Sequence, residues 1–405
     1  MKKKNKSLIF LCQVYYPDEQ STSQLFSGIM ESLVQRGYEI KVLCGYPNNK
    51  INIDFSQKEI HNGVSIERIG FQLATKKNLF MRAVSYLSYL FGVLSRVIFS
   101  PKESQIFAVT NPPFLAWICA FASIFRSRPY IFMFLDVHPE GLISLGKLSA
   151  SAWYVRLWKY FNKISYAKAG KLLVLGRDMV PLLSKQYNLS ESCFRYIPHW
   201  SATEVKEPIS FGSSKYPSIW GLSESFVVQY SGNMGLWHDI DTFVRAAKFL
   251  QQYKNIQFVF VGGGIRRNKA RQLASELGVD NIRWEDFVPL SELSENLAAC
   301  HLAVISLNKN LEGVAVPCKL YGILASGRPT IAQVPLQSEV AMCILENKCG
   351  VVIPPGDADA LAKVIYRLSL DKSSVEAMSS AAFNAYTSHY QIEDAVNAFE
   401  EELFN

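Results

Sequence analysis

Glu312 and Lys319 stand seven residues apart in the stretch Leu311-Glu312-Gly313-Val314-Ala315-Val316-Pro317-Cys318-Lys319-Leu320-Tyr321. A carboxylate on a loop at the C-terminal end of a buried strand can accept hydrogen bonds from ligand hydroxyls. A lysine opening the short helix beyond it can meet phosphate charge. A loop Glu and a helix-surface Lys would be the plainer reading, but the placement of the pair favours chemistry. Upstream, Gly232, Asn233, Met234 and Gly235 follow a strand. Their two glycines let backbone approach a phosphate, with a helix N-terminus expected to receive its charge. A second turn, Val261-Gly262-Gly263-Gly264-Ile265-Arg266-Arg267, offers Gly263 and Arg266 to the same ligand, although an arginine pair there is more often a solvated first helical turn. In the first half, Asp136 and His138 end a strand and suit proton transfer or hydrogen bonding. A turn in which Asp136 holds backbone N–H groups competes evenly with that. Ser21, Thr22 and Ser23 stand at a helix start, where they could face an anion or simply cap the helix. Asp239-Ile240-Asp241 has a metal-binding look, but its place at a helix start favours capping. His199, His301 and His389 read as structural or surface residues. No metal-ligand spacing is present among the cysteines, and no G-x-x-x-x-G-K-[ST] run occurs.

These residues sit on an alternation of strands and helices. Short apolar runs at 8–12, 40–44, 106–110, 130–135 and 172–175 predict strands. Helical spacing predicts helices over 22–35, 83–99, 114–125 and 152–168. Pro208, Gly212, Ser213, Ser214, Pro217 and Ser218 break the pattern, which restarts with strands at 226–230, 258–261, 282–284, 302–305 and 329–332. The expectation is an α/β protein of two Rossmann-like domains facing each other across a central cleft. Residues 1–200 form one, 201–225 a linker and 226–390 the other. A C-terminal helix, 391–405, is expected to return to the first.

Of the 405 residues, 49% are hydrophobic and 19% charged, which excludes a disordered chain. Eight cysteines are too few for a disulfide-stapled scaffold, and their scatter points to a reducing, cytoplasmic setting. Residues 1–200 hold 25 Lys+Arg against 12 Asp+Glu, a balance of +13, and residues 201–405 hold 17 against 23, a balance of −6. A basic half expects an anionic partner. The Lys2-Lys3-Lys4 start lacks a long enough apolar run to read as a secretory signal, and no segment reads as a membrane span. Aromatic-rich stretches at 79–99, with Arg82 and Arg96, and at 114–128, with Trp117, Phe121, Phe125, Arg126 and Arg128, suit a bilayer interface, against the alternative of ordinary buried helices. Nucleic acid is disfavoured, because no basic patch is interleaved with stacking aromatics.

The motifs together resemble the retaining glycosyltransferases of the GT-B fold, family 4, in the branch that builds bacterial capsular, O-antigen and colanic-acid-type polysaccharides. Tyr16-Pro17-Asp18-Glu19 and Gly37-Tyr38-Glu39-Ile40-Lys41-Val42 are similar to that family's opening. Gly232-Asn233-Met234-Gly235, Val261-Gly262-Gly263-Gly264 and Val316-Pro317-Cys318-Lys319-Leu320-Tyr321 with Ala325-Ser326-Gly327-Arg328-Pro329 are similar to its donor domain. The resemblance implies metal-independent, cofactor-free transfer from a nucleotide-sugar donor, UDP-linked, to a polyprenyl-diphosphate-linked glycan at the cytoplasmic face of a membrane. It implies Glu312, Lys319, Asp136 and His138 at the reacting centre. The donor would be held by Gly232, Asn233, Met234, Gly235, His238, Gly263, Arg266, Glu312, Val316, Pro317, Lys319, Leu320 and Tyr321, and Ser21 to Ser23 would form the acceptor-side loop. Gly322 stands where the family's second motif glutamate would be, and Asn233 and His238 where its arginine and lysine would be. A nucleotide-sugar 2-epimerase on the same fold, or a catalytically weak partner subunit, are the rival expectations.

Overall fold

The computed structural model describes residues 6–47, 55–71 and 79–405, with the backbone alone for 79, 80 and 82. The Lys2-Lys3-Lys4 start and the Arg82 side chain lie outside the described residues. The chain divides into two compact units. One comprises the described residues up to Pro198 together with Gly313–Ala315 and Ile392–Asn405. The other comprises His199–Glu312 and Val316–Gln391.

The first unit is built on eight strands: β1 (Ser7–Leu11), β2 (Glu39–Cys44), β3 (Lys58–His61), β4 (Val64–Arg68), β5 (Gln105–Val109), β6 (Ile131–Phe134), β7 (Lys171–Val174) and β8 (Phe194–Tyr196). Their order is β3-β4-β2-β1-β5-β6-β7-β8, all parallel except the β3–β4 hairpin. Continuous apolar strands such as Leu8-Ile9-Phe10-Leu11 are buried on both faces, as a helix-covered parallel sheet requires. Gly37, at φ +91°, ends the helix Ser21–Gln35 and turns the chain into β2. The last helix, Ile392–Phe404, lies on that first helix. Phe399 is fully buried against Phe26 and Phe107, and Arg36 pairs with Glu393 and Glu400.

The second unit holds β9 (Phe226–Ser231), β10 (Ile256–Val261), β11 (Ile282–Glu285), β12 (Leu302–Ser306), β13 (Thr330–Gln333) and β14 (Gly350–Ile353), in the order β11-β10-β9-β12-β13-β14. All five pairings are parallel. Residues 201–225 belong to this unit and contain the helix Tyr216–Trp220, whose Tyr216 and Trp220 are buried. Both units are Rossmann-like.

Two readings of the sequence need correction here. Arg126 is buried, and Trp117 is half-buried with its ring nitrogen engaged. The Arg126 guanidinium donates to the carbonyls of Val97, Ser100, Pro101 and Ser104, and Trp117 Nε1 donates to Asn162 Oδ1 at 2.7 Å. A cation that can tie off the last carbonyls of a neighbouring helix is better satisfied there than in solvent. Arg96 is likewise occupied, donating to Glu67 at 2.9 Å.

Candidate active site

In the second unit, the order of strands reverses between β9 and β12. The loops leaving these two strands therefore diverge, and ligands of open α/β sheets bind in the crevice that opens there. The loop after β9 carries Gly232 to His238. The loop after β12 carries Glu312 and ends at the helix Lys319–Ala325.

Lys319 is the centre of this arrangement. Its Nζ donates to Tyr230 Oη at 2.6 Å and lies 4.0 Å from the Tyr230 ring centroid. Tyr230 is buried in β9, and its hydroxyl donates to the Asn233 carbonyl at 2.9 Å. A Cβ placed on Gly232 would lie 3.4 Å from Lys319 Nζ, so the ammonium borders the glycine backbone. Burial pulls the lysine down to about 7, which leaves it half charged at neutral pH and ready to be recharged by an anion.

The glycine-rich turns are sewn to each other. Gly232 N–H donates to Val261 O at 2.9 Å, Met234 N–H to Gly263 O at 2.6 Å, and Arg266 N–H to Met234 O at 3.0 Å. Gly262 and Gly264 have φ of +121° and +125°. A Cβ on Gly262 would lie 2.3 Å from the Gly232 carbonyl oxygen, and one on Gly264 within 2.7 Å of the Met234 backbone. Only glycine fits either place. The helix after Gly232 begins at Asp241, so no helix N-terminus directly follows Gly235, contrary to expectation. The intervening residues form a loop because His238 Nδ1 accepts from Gly235 N–H at 3.1 Å and Asn308 ties down Leu236 and Trp237 at 2.9 and 2.8 Å. Burial, aided by the nearby Lys319 charge, holds His238 well below the usual imidazole range, so it is neutral.

Other candidates sort by burial and by partner. Arg267 is spent on Asp286 at 2.5 Å and on the Glu285 carbonyl, whereas Arg266 lies close enough to depress His238. Leu320 and Tyr321 are fully buried, and Tyr321 stacks on His199 with centroids 4.8 Å apart. Val316 is buried and Pro317 half-buried, whereas Glu312 is exposed. Asp239 caps the helix Asp241–Leu250 by accepting from Thr242 N–H at 3.3 Å and Thr242 Oγ1 at 2.7 Å, and Gln333 donates to it as well. Among the described residues, no group of three or more His, Cys, Asp or Glu side chains could hold a metal ion.

In the first unit, Asp136 and His138 follow β6. Burial pushes the Asp136 carboxyl up to about 6 and the His138 imidazole down to about 4, so His138 is neutral at physiological pH. The His138 carbonyl accepts from Asn162 Nδ2 at 2.8 Å, which anchors the turn to the helix Trp153–Lys168. Residues 313–315 belong to this unit. Asp136 forms an isolated antiparallel bridge with Ala315, and Val137 N–H donates to Val314 O at 2.8 Å. Asp136 thus meets Ala315 within the first unit. Ser21 opens the helix Ser21–Gln35 but does not cap it. The cap residue is Gln20, without a side-chain bond, Ser21 is exposed and Ser23 is buried.

Sequence reasoning passes over Tyr230, Asp178 and Asn308, which hold these loops. Lys319 for Tyr230, Gly313 for Asp178 and Leu236 for Asn308 lie 72 to 135 residues away along the chain, beyond the reach of spacing rules.

Residues 215–385 match the family described as "Glycosyl transferases group 1". The chain is 26% identical over 332 residues to the probable glycosyltransferase WbjE of Pseudomonas aeruginosa, covering 81% of this chain and 82% of that protein. Among solved structures, it is similar to HepE of Anabaena, in complex with UDP and glucose, with a TM-score of 0.73 at 15% identity over 98% of this chain and 99% of that one. It is also similar to WaaG, a glycosyltransferase involved in lipopolysaccharide biosynthesis, with a TM-score of 0.74 at 16% identity over 98% and 100%. The structural likenesses show the fold, two Rossmann-like domains of the GT-B type. The match of residues 215–385 to a glycosyltransferase group 1 domain, with the likeness to WbjE, supports a transferase.

Proposed function

We propose that the chain moves a sugar from a UDP-linked donor, with retention of anomeric configuration and without a metal, to a polyprenyl-diphosphate-linked glycan in bacterial surface polysaccharide biosynthesis. The observation that carries this is the Lys319–Tyr230–Gly232 cluster at the switch point of the second sheet. Same-face transfer needs the leaving diphosphate stabilised as charge builds on it, and preorganised donors do that work best. Lys319 is already oriented by Tyr230 and half uncharged, so a diphosphate beside Gly232 draws a proton onto it. Glu312, exposed at the end of the neighbouring loop, accepts from hydroxyls of the donor sugar. The UDP and glucose found in HepE support a nucleotide-sugar donor. A 2-epimerase, which needs several cleft carboxylates, has less support, since Glu312 is the one acidic residue in its block.

The test is calorimetric titration of the chain with nucleoside diphosphates and their hexose conjugates. One base should be preferred. Glu312→Ala should weaken the sugar conjugate and spare the bare diphosphate. No binding of any conjugate would overturn the reading.

The acceptor side has its own support. No helix among the described residues is long and apolar enough to cross a membrane. The helices Leu79–Ile98, Leu115–Arg126 and Trp153–Lys168 pack side by side, and none contains an acidic residue. Phe91, Phe121, Phe125, Trp153, Tyr160 and Phe161 are exposed on them, Trp153 by 75%. Arg156, Lys163 and Lys168 are exposed among those on the third helix. We read this face as the seat of the peripheral membrane contact, because interfacial aromatics with cations and no acids fit anionic headgroups. Trp153→Ser with Tyr160→Ser should reduce sedimentation with phosphatidylglycerol vesicles. Equal sedimentation of wild type with neutral vesicles, or none with either, would refute it.

A further inference from the structure

We propose that Asp178 is a positioning residue for Glu312. It fixes, through Gly313, the loop from which that carboxylate reaches the donor sugar, and the inference rests on the donor reading of Glu312 given above. Asp178 occupies the cap position of the helix Met179–Tyr187, yet its side chain makes no capping bond to that helix. An aspartate at such a position ordinarily serves its own N-terminal N–H groups. Here the carboxylate Oδ2 instead accepts from Gly313 N–H at 2.8 Å, 135 residues away along the chain. Asp178 is 8% exposed, so this is a buried charge-assisted bond.

The fit around Gly313 is close. Its φ is +68°, and a Cβ there would lie 2.6 Å from the Asp178 carbonyl oxygen and 3.1 Å from Leu182 Cβ. Val314 and Ala315 continue the attachment through the Val137 N–H bond and the Asp136 bridge. Gly313–Ala315 therefore belong to the first unit, although the residues on either side of them belong to the second. Glu312 is one peptide bond from the anchored glycine. It is exposed and has no hydrogen bond or ion pair of its own among the described contacts, so the backbone from which its carboxylate reaches out is placed by what holds Gly313. Asp178 touches neither sugar nor phosphate in this account, and its effect is confined to how well Glu312 is placed.

The experiment compares wild type, Glu312→Ala, Asp178→Ala and Asp178→Asn by calorimetry with UDP and UDP-hexoses, and with the GDP and dTDP series if those are preferred. Amide hydrogen exchange over residues 312–316 is followed in the same variants without ligand. Asp178→Ala should copy Glu312→Ala, weakening the sugar conjugate about ten-fold while leaving the bare diphosphate unchanged, as expected for loss of one charged hydrogen bond. Exchange at Gly313 should speed up. Asp178→Asn keeps an acceptor and should restore both. Should Asp178→Ala fail to fold, Gly313→Ala carries the same test through the clash with the Asp178 carbonyl. Equal weakening of conjugate and bare diphosphate, an unchanged sugar preference, or an asparagine variant no better than alanine would overturn the proposal. If Glu312→Ala itself leaves the sugar preference intact, the donor reading falls and takes this inference with it. If Glu312→Ala abolishes the preference and Asp178→Ala does not, only the positioning role falls.

Discussion

Binding of a nucleotide sugar should draw a proton onto Lys319. Burial depresses this lysine to about 7 in the free protein, and a diphosphate beside it favours the charged form. If only the protonated form binds well, affinity follows the protonated fraction. With a site value of about 7, that fraction is about 0.9 at pH 6 and about 0.1 at pH 8, so affinity should fall about ten-fold, or about 1.4 kcal/mol. Titration with UDP-glucose at pH 7 in buffers of different ionisation enthalpy should report uptake of about half a proton. The conjugate's diphosphate is a diester and does not itself titrate in this range. Lys319→Met should bind weakly at every pH and lose the slope, while whatever Asp136 contributes near pH 6 remains. The same depressed lysine makes the unfolded chain bind more protons than the folded one between about 7 and the ordinary lysine value. Ligand-free stability should therefore rise with pH across that window, and the Met variant should lose the rise. A flat affinity from pH 6 to 8 with no proton uptake, or an equal slope in Lys319→Met, would refute the reasoning.

Other expectations follow from packing. Gly264→Ala forces a Cβ into the Asn233 and Met234 atoms at a positive φ, and should cost about 2–3 kcal/mol in urea unfolding while also weakening diphosphate binding. Gly322→Ala should do the opposite. It is a helix-interior glycine whose Cβ would meet only Leu297 Cδ1 at 3.5 Å, so stability should rise by about 0.5–1 kcal/mol. Phe399→Ala should cost about 3–5 kcal/mol by emptying the seat of the last helix against Phe26 and Phe107, measurable by the same unfolding curves.

Most of the sheet architecture was legible because buried parallel strands are written as apolar runs. Leu8 to Leu11, Phe258 to Val261 and Leu302 to Ile305 need no tertiary knowledge to be recognised. The β3–β4 hairpin is passed over by that rule, since Lys58-Glu59-Ile60-His61 is polar and at the sheet edge. Its signal was the turn, Asn62-Gly63, both at positive φ, the strongest short hairpin cue there is. In the site, the glycine turns and Lys319 were visible by type and spacing. What could not be read was which side chains serve them. Tyr230 looks like one more strand aromatic until its hydroxyl is seen on Lys319 Nζ. Arg126 looks like a surface cation until it is seen tying off carbonyls at the end of a neighbouring helix. Tyr321 carries no mark in the sequence to tell a core ring from a base-stacking one.

Sugar transfer with retention is tested most directly by proton NMR of the product. The chain would be supplied with the preferred nucleotide sugar and a polyprenyl-diphosphate glycan. An α-linked donor should yield an α-linked product with release of one nucleoside diphosphate per bond formed, and Glu312→Ala should abolish both. A β-linked product, or no release of nucleoside diphosphate from any donor in the presence of acceptor, would contradict it.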